Sequence, residues 1–194
     1  MDFYHSGQRA LQAKFGSQPL ADRLLSVTHR TALTDDDRAF IESREFFFLA
    51  TADTQGRPDC SFKGGPPGFV TAPAADLILW PDYDGNGMFR SLGNIAVNPE
   101  VGLLFIAMTE KPKRLRVNGR ASIALDDPMM ARFPGAQALV RLTPTHIFPN
   151  CPRYIPDAQT GAPSPYVPRS GAAPLEPAWK SFDAFKDVVP PRRV

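Results

Sequence analysis

Residues 45–71 read EFFFLATADTQGRPDCSFKGGPPGFVT, and this alternation of compact apolar runs with turn residues decides the fold class. Glu45–Ala52 is aromatic and aliphatic but too short for a stable helix, and Asp53-Thr54-Gln55-Gly56 after it reads as a turn. Pro58–Lys63 returns as the paired strand. A loop at Gly64–Gly68 then leads to a short strand at Phe69–Thr71. Downstream the rhythm continues, with a strand at Asp76–Trp80, a loop at Pro81–Gly87, and a short helix at Met88–Val97 stopped by Asn98-Pro99. Val101–Ala107 reads as a strand buried on both faces. Arg114–Leu125 alternates, Leu115 and Val117 inward and Arg116 and Asn118 outward. A short helix near Asp127–Phe133 and a strand from about Gln137 to Phe148 follow. Short strands joined by tight turns predict a mainly β domain, a small barrel or sandwich with flanking helices.

Upstream, residues 5–29 read as helical, with Leu20, Leu24 and Val27 at helical spacing. A second helix is expected from Thr34. Thr34 caps it, Asp35–Asp37 suit its positive end, and Phe40 and Ile41 form its buried face. Downstream of 149 periodicity fades and proline accumulates, as in a surface arm. Trp179, Phe182 and Phe185 recur every third residue there, which predicts a short helix packed on the body. The expected organisation is a helical lead-in over 1–40, a barrel over 41–150 and a Pro-rich arm over 151–194.

Composition excludes several functions. A net charge of +2 gives no argument for nucleic acid or an anionic membrane surface. No apolar run approaches the roughly 20 residues of a membrane span. The N-terminus is broken by polar residues, so a secretory leader is not expected. The two cysteines, Cys60 and Cys151, share no metal-type spacing, and free thiols fit a reducing, cytoplasmic setting. His5, His29 and His146 are scattered, so no metal site is expected. Lys111, Lys113, Arg114, Arg116 and Arg120 read as the solvated face of a strand.

The stretch Pro81–Asn94, PDYDGNGMFRSLGN, carries the chemistry best. Asn86, Gly87, Met88 and Phe89 lead into a helix start, where unpaired N–H groups favour an anion. Arg90 and Ser91 stand in the first turn, and Asn94 follows one turn later on the face of Arg90. A cation, a hydroxyl and an amide beside free N–H groups suit a phosphate monoester. A glycine-rich loop with a solvated arginine has the same spacing. On the strand before it, Ser61 and Lys63 share one face and Cys60 and Phe62 the other. Asn150-Cys151-Pro152-Arg153-Tyr154-Ile155 places a thiol, a guanidinium and a phenol together, but nothing local calls for a lowered thiol pKa.

The order of these blocks, FFFLATADTQGRPDCSFKGGPPGFV, LILWPDYDGNGMFRSLGNIAVNPEVGLLFI, RLRVNGRASI and FPNCPRYI, resembles the pyridoxamine 5′-phosphate oxidase-like FMN-binding family over about residues 40–155. The lead-in FYHSGQRALQAKFG resembles one branch of it. The resemblance implies a six-stranded split barrel, homodimeric, with FMN at the subunit interface. It implies Arg90 at the FMN phosphate and Asn94 as a recurrent residue of the branch. Ser61, Phe62, Lys63 and Gly64 would line the flavin, Trp80, Pro81 and Asp82 would flank the isoalloxazine, and the block holding Arg153 would approach the neighbouring subunit's flavin. Ser91 replaces a lysine of the oxidases proper, which argues against true pyridoxamine phosphate oxidation. Pro156 stands where branch members continue with histidine, and residues 156–194 have no counterpart to the oxidases' substrate-binding end.

The implied activity is FMN-dependent oxidoreduction, a hydride passing between flavin and a small substrate or NAD(P)H, with no side chain assigned a catalytic role. Three alternatives stay open: a flavin-storage module without turnover, a deazaflavin-dependent reductase, and an interaction barrel without cofactor.

Overall fold

The computed structural model describes residues 3–170, 173 and 175–191. The N-terminal segment folds as two helices rather than one, α1 (Ser6–Phe15) and α2 (Gln18–Thr28). Gly16 separates them: its φ of 62° is left-handed, and its N–H closes α1 onto Ala13. α3 (Asp35–Glu42) starts as its sequence predicts. Thr34 Oγ1 accepts from Asp37 N at 3.1 Å, and Asp37 Oδ2 accepts from Thr34 N at 3.1 Å. Phe40 and Ile41 on α3 are buried in the core.

Seven strands follow: β1 (Phe46–Ala52), β2 (Pro58–Gly64), β3 (Thr71–Ala74), β4 (Leu77–Tyr83), β5 (Glu100–Ala107), β6 (Lys113–Ala124) and β7 (Ala136–Pro149), with α4 (Arg90–Val97) between β4 and β5. They pair antiparallel in the order β2-β1-β5-β6-β7-β4-β3. The sheet curls on itself. Phe47 on β1 and Trp80 on β4, far apart in that order, meet with ring centroids 5.5 Å apart inside the core. At the β6–β7 crossing the register shifts beside Gly119, where an added Cβ would lie 2.3 Å from Thr143 O, so only glycine lets the two strands approach.

Several expectations need correction. The sheet has seven strands, not six, the seventh being the short edge strand β3, which lies at Thr71–Ala74 rather than Phe69–Thr71. Phe69 and Val70 are apolar because they fill the core. Pro81 does not open a loop, since β4 runs on to Tyr83. β3 pairs with β4 only as far as Leu79, so the proline withholds no N–H from a ladder on that side. β5 is buried on one face only, with Gly102, Leu104 and Ile106 half-covered on the other. The helix after the loop starts at Arg90, not Met88. A 3₁₀ turn occupies Pro128–Arg132 and another Ala178–Ser181. Trp179 and Phe185 pack edge to face at 5.7 Å, but Phe182 is exposed. Among the described residues no helix is long and apolar enough to cross a membrane.

Candidate functional site

A pocket of about 280 Å³ opens where β2, the end of β4 and the start of α4 converge. The period of two along β2 turns Asp59, Ser61 and Lys63 toward it. β4 contributes Asp82. The connecting loop contributes Asn86, Gly87, Met88 and Phe89, and α4 contributes Arg90 and Ser91. Nine of the residues nominated from sequence therefore meet in one place. Phe62 points to the opposite side of β2, stacked on Phe46 at 5.5 Å. Gly64, Trp80, Pro81 and Asn94 stand outside the pocket lining, and Trp80 belongs to the core. Asn94 Nδ2 donates to Thr51 Oγ1 at 3.0 Å and so ties α4 to β1. Arg153 lies in a different region, beside Cys151.

The local backbone explains why this loop suits an anion. Gly87 has φ 71°, and Asn86 Oδ1 accepts from Met88 N at 3.0 Å. Phe89, the residue before α4, is left-handed at φ 49° and gives the helix no side-chain cap. A bulky residue in that region costs about 1–3 kcal/mol and persists only where its surroundings impose it. The first N–H groups of α4 are thus left without a capping side chain beside the pocket.

The charges within the pocket are paired. Arg90 Nε donates to Asp59 Oδ1 at 3.0 Å, and among the described residues no acceptor meets its two terminal amino groups. Lys63 Nζ stands 3.8 Å from Asp82 Oδ1. Gln137 Nε2 donates to Asp82 Oδ2 at 3.0 Å. The Ser61 and Ser91 hydroxyls bond each other at 2.9 Å. Sequence reasoning missed Asp59 and Gln137. Asp59 precedes Ser61 by one β-period and was legible. Gln137 arrives only through the β4–β7 register, which no local pattern encodes.

A second cavity, of about 720 Å³, lies between the N-terminal helices and the outer face of β1, β5, β6 and β7, and Cys60 borders both. His29 Nε2 and His146 Nδ1 meet on its wall at 2.8 Å. Burial, then the His146 and Arg30 charges, hold His29 below the ordinary imidazole pKa. Nearby, Cys151 Sγ accepts from Arg153 Nε at 3.1 Å and Trp179 Nε1 at 3.2 Å. Burial pushes this thiol up, but the Arg153 backbone N–H, the indole and the guanidinium together bring it below the usual thiol value. Arg114 donates to the Cys151 carbonyl.

A profile described as pyridoxamine 5′-phosphate oxidase matches residues 33–151, well over half of the chain. No curated protein matches. Among solved structures, a protein assigned to the pyridoxamine 5′-phosphate oxidases from Lactobacillus delbrueckii shares 20% identity at a TM-score of 0.51, covering 63% of this chain and 99% of that one. HupZ of Group A Streptococcus shares 17% identity at a TM-score of 0.49, covering 68% of this chain and 98% of its own. An FMN-binding protein from Syntrophomonas wolfei shares 11% identity at a TM-score of 0.47, over 75% of this chain and 95% of its own. The sheet order, the curled core and the profile match agree, and the chain belongs to the pyridoxamine 5′-phosphate oxidase family.

Proposed function

We propose that this protein is an FMN-dependent oxidoreductase that works as a homodimer and transfers a hydride between its flavin and a small substrate or a reduced nicotinamide. One observation carries the reading: the uncapped N-terminus of α4 opens into the same pocket as Arg90, Ser91, Ser61 and Lys63. These groups fit a flavin phosphate. The terminal amino groups of Arg90 and the first N–H groups of α4 would hold its oxygens, while Asp59 keeps the guanidinium in place through Nε. The paired Ser61 and Ser91 hydroxyls each have a donor or acceptor to offer. Lys63 would face the edge of the ring system that gains negative charge on reduction. Flavin supplies the redox chemistry, and the chain supplies position and electrostatics.

The other nominated residues act at one remove. Asn94 fixes α4 against β1, and Trp80 and Pro81 anchor the end of β4. Phe62 and Gly64 border the open side of β2, and Arg153 is assigned to the partner's flavin. Two observations support the homodimer. About 280 Å³ falls short of the roughly 300–1,000 Å³ typical of pockets for whole small-molecule ligands. Phe46, Phe48 and Phe62 also form an outward aromatic cluster, and Phe62 is 62% exposed. The two free thiols suit a reducing compartment such as the cytoplasm.

Titration of the purified protein into FMN, with sedimentation of the complex, tests this. Quenched flavin fluorescence and a dimeric mass are expected; unquenched FMN that passes a filter removes the cofactor assignment, and a monomer with full FMN occupancy removes the dimer. A second reading, flavin binding without turnover, is favoured by the pairing of both pocket cations, Arg90 and Lys63, with carboxylates. Anaerobic mixing with reduced nicotinamides separates the two, since only the enzyme bleaches.

A further inference from the structure

Lys63 and Asp82 come from strands that are not neighbours in the sheet, β2 standing at one end of the strand order and β4 next to the other. Lys63 Nζ lies 3.8 Å from Asp82 Oδ1, and the two side chains are only 22% and 13% exposed. Charges so covered are weakly screened and feel each other strongly. The separation is nevertheless too long for a hydrogen bond, which between an ammonium and a carboxylate closes to about 2.7–2.9 Å. Among the described residues Lys63 Nζ has no hydrogen-bond partner, and the side chain lines the pocket.

The carboxylate is held from its other side. Asp82 pairs with Ala138 and Tyr83 with Ala136, so β7 carries one extra residue between them, Gln137. Such a bulge re-aims a side chain that regular pairing would send elsewhere. Here Gln137 Nε2 donates to Asp82 Oδ2 at 3.0 Å and to Tyr83 O at 3.2 Å, so one amide clamps the last two residues of β4. Oδ2 is thereby occupied, and Oδ1 is left facing the lysine without touching it. A carboxylate free to turn would close the remaining distance, about 1 Å, and take an N–H from the ammonium.

We infer that Gln137 is a positioning residue that holds Asp82 just short of Lys63, so that the lysine feels the carboxylate's charge but keeps its N–H groups for the bound flavin. The inference rests on the FMN reading above and adds to it what tunes the site. Asp82 and Gln137 then act on the flavin in opposite senses. The carboxylate opposes the negative charge that reduction brings, whereas the amide preserves the lysine that stabilises it.

Equilibration of the FMN-loaded chain with redox dyes tests this. The flavin potential reads the ratio of reduced- to oxidised-flavin affinity, a tenfold change being about 30 mV for a two-electron couple. Asp82→Asn removes the opposing charge and should raise the ratio about tenfold, or about 30 mV. Gln137→Ala should lower it about threefold, or about 15 mV, because Asp82 closes on Lys63. In the double variant the effect of Gln137→Ala should vanish, since no carboxylate remains to be restrained. The Gln137 side chain is exposed, so its loss leaves the core intact and carries the test even where Asp82→Asn folds poorly. A role confined to the bulge would lower the melting temperature of Gln137→Ala without moving the potential. With FMN bound, a potential that Asp82→Asn leaves unmoved, that Gln137→Ala leaves unmoved or raises, or that Gln137→Ala lowers equally with and without Asp82, overturns the inference and leaves the FMN reading in place. Parent protein that leaves FMN unquenched overturns both.

Discussion

Two arginine clusters stand on this barrel, built on opposite electrostatic plans. At the start of α4, Arg90 faces Asp59 and Lys63 faces Asp82, so the pocket is close to neutral before any ligand arrives. At the corner around Cys151, Arg114, Arg116 and Arg153 form no ion pair among the described residues. Asp59 holds Arg90 through Nε, so a phosphate entering the first pocket meets the free edge of the guanidinium in a nearly neutral site, and selectivity there rests on the placement of N–H groups and hydroxyls. Compensation holds the cations of the first pocket in place, while around Cys151 the backbone carbonyl and the sulfur take the arginine N–H groups instead of a carboxylate.

The largest effect should come from removing the cation of the compensated pocket. Arg90→Ala is expected to weaken FMN binding by about 1.5–3 kcal/mol, the range for a hydrogen bond to a charged group. Riboflavin, which lacks the phosphate, should lose far less. Fluorescence titrations of both ligands check this, and equal losses would mean that the pocket does not read a phosphate.

The partner of Arg90 offers a smaller and opposite test. Asp59→Asn removes the negative charge that repels the phosphate but leaves a side chain able to accept from Nε. Arg90 is 60% exposed, and ion pairs so exposed are worth about 0–1 kcal/mol. FMN affinity should therefore rise, by less than about 1 kcal/mol. A loss of affinity instead would make Asp59 a positioning residue whose charge the site requires.

The candidate site was mostly legible in the sequence and the cluster around Cys151 was not, for a physical reason. The loop and helix start of residues 86–91 are contiguous, and β2 repeats its pocket face every second residue, so local rules suffice. The barrel was legible on the same terms, from the hairpin at β1–β2 to the cap at Thr34. Where neighbours come from distant segments, local reading fails. Pro81 reads as a loop start until β3 is seen to stop short of it. β5 reads as buried on both faces because apolarity does not say what covers a face. At the corner, Trp179 reaches Cys151 across 28 positions. Arg114 reads as one more solvated cation until β7 carries Cys151 back beside it.

Turnover gives a null test between the two regions. If Cys151 takes no part in the redox chemistry, Cys151→Ala should leave flavin reduction within about a few-fold of the parent in anaerobic stopped-flow. Loss of an essential nucleophile costs on the order of 10⁴ or more. Bleaching abolished while FMN stays bound would join the two sites into one mechanism.

The smallest effect concerns the charge on Cys151 itself. Burial alone would raise its pKa, yet the Arg153 N–H groups and the Trp179 indole outweigh burial and hold it below the ordinary thiol value. The group is an acid whose folded pKa lies below its unfolded one. Its contribution to stability is therefore fully present above the unfolded pKa and is lost as pH falls through the folded pKa. Thiolate absorbance of the Cys60→Ser protein should rise at lower pH when folded than in denaturant. Trp179→Phe removes one donor but keeps an aromatic ring, and should move the folded titration upward. Arg153→Gln removes both a donor and a charge, and should move it further. If neither variant shifts the titration, neither group stabilises the thiolate, and the sulfur is an ordinary thiol.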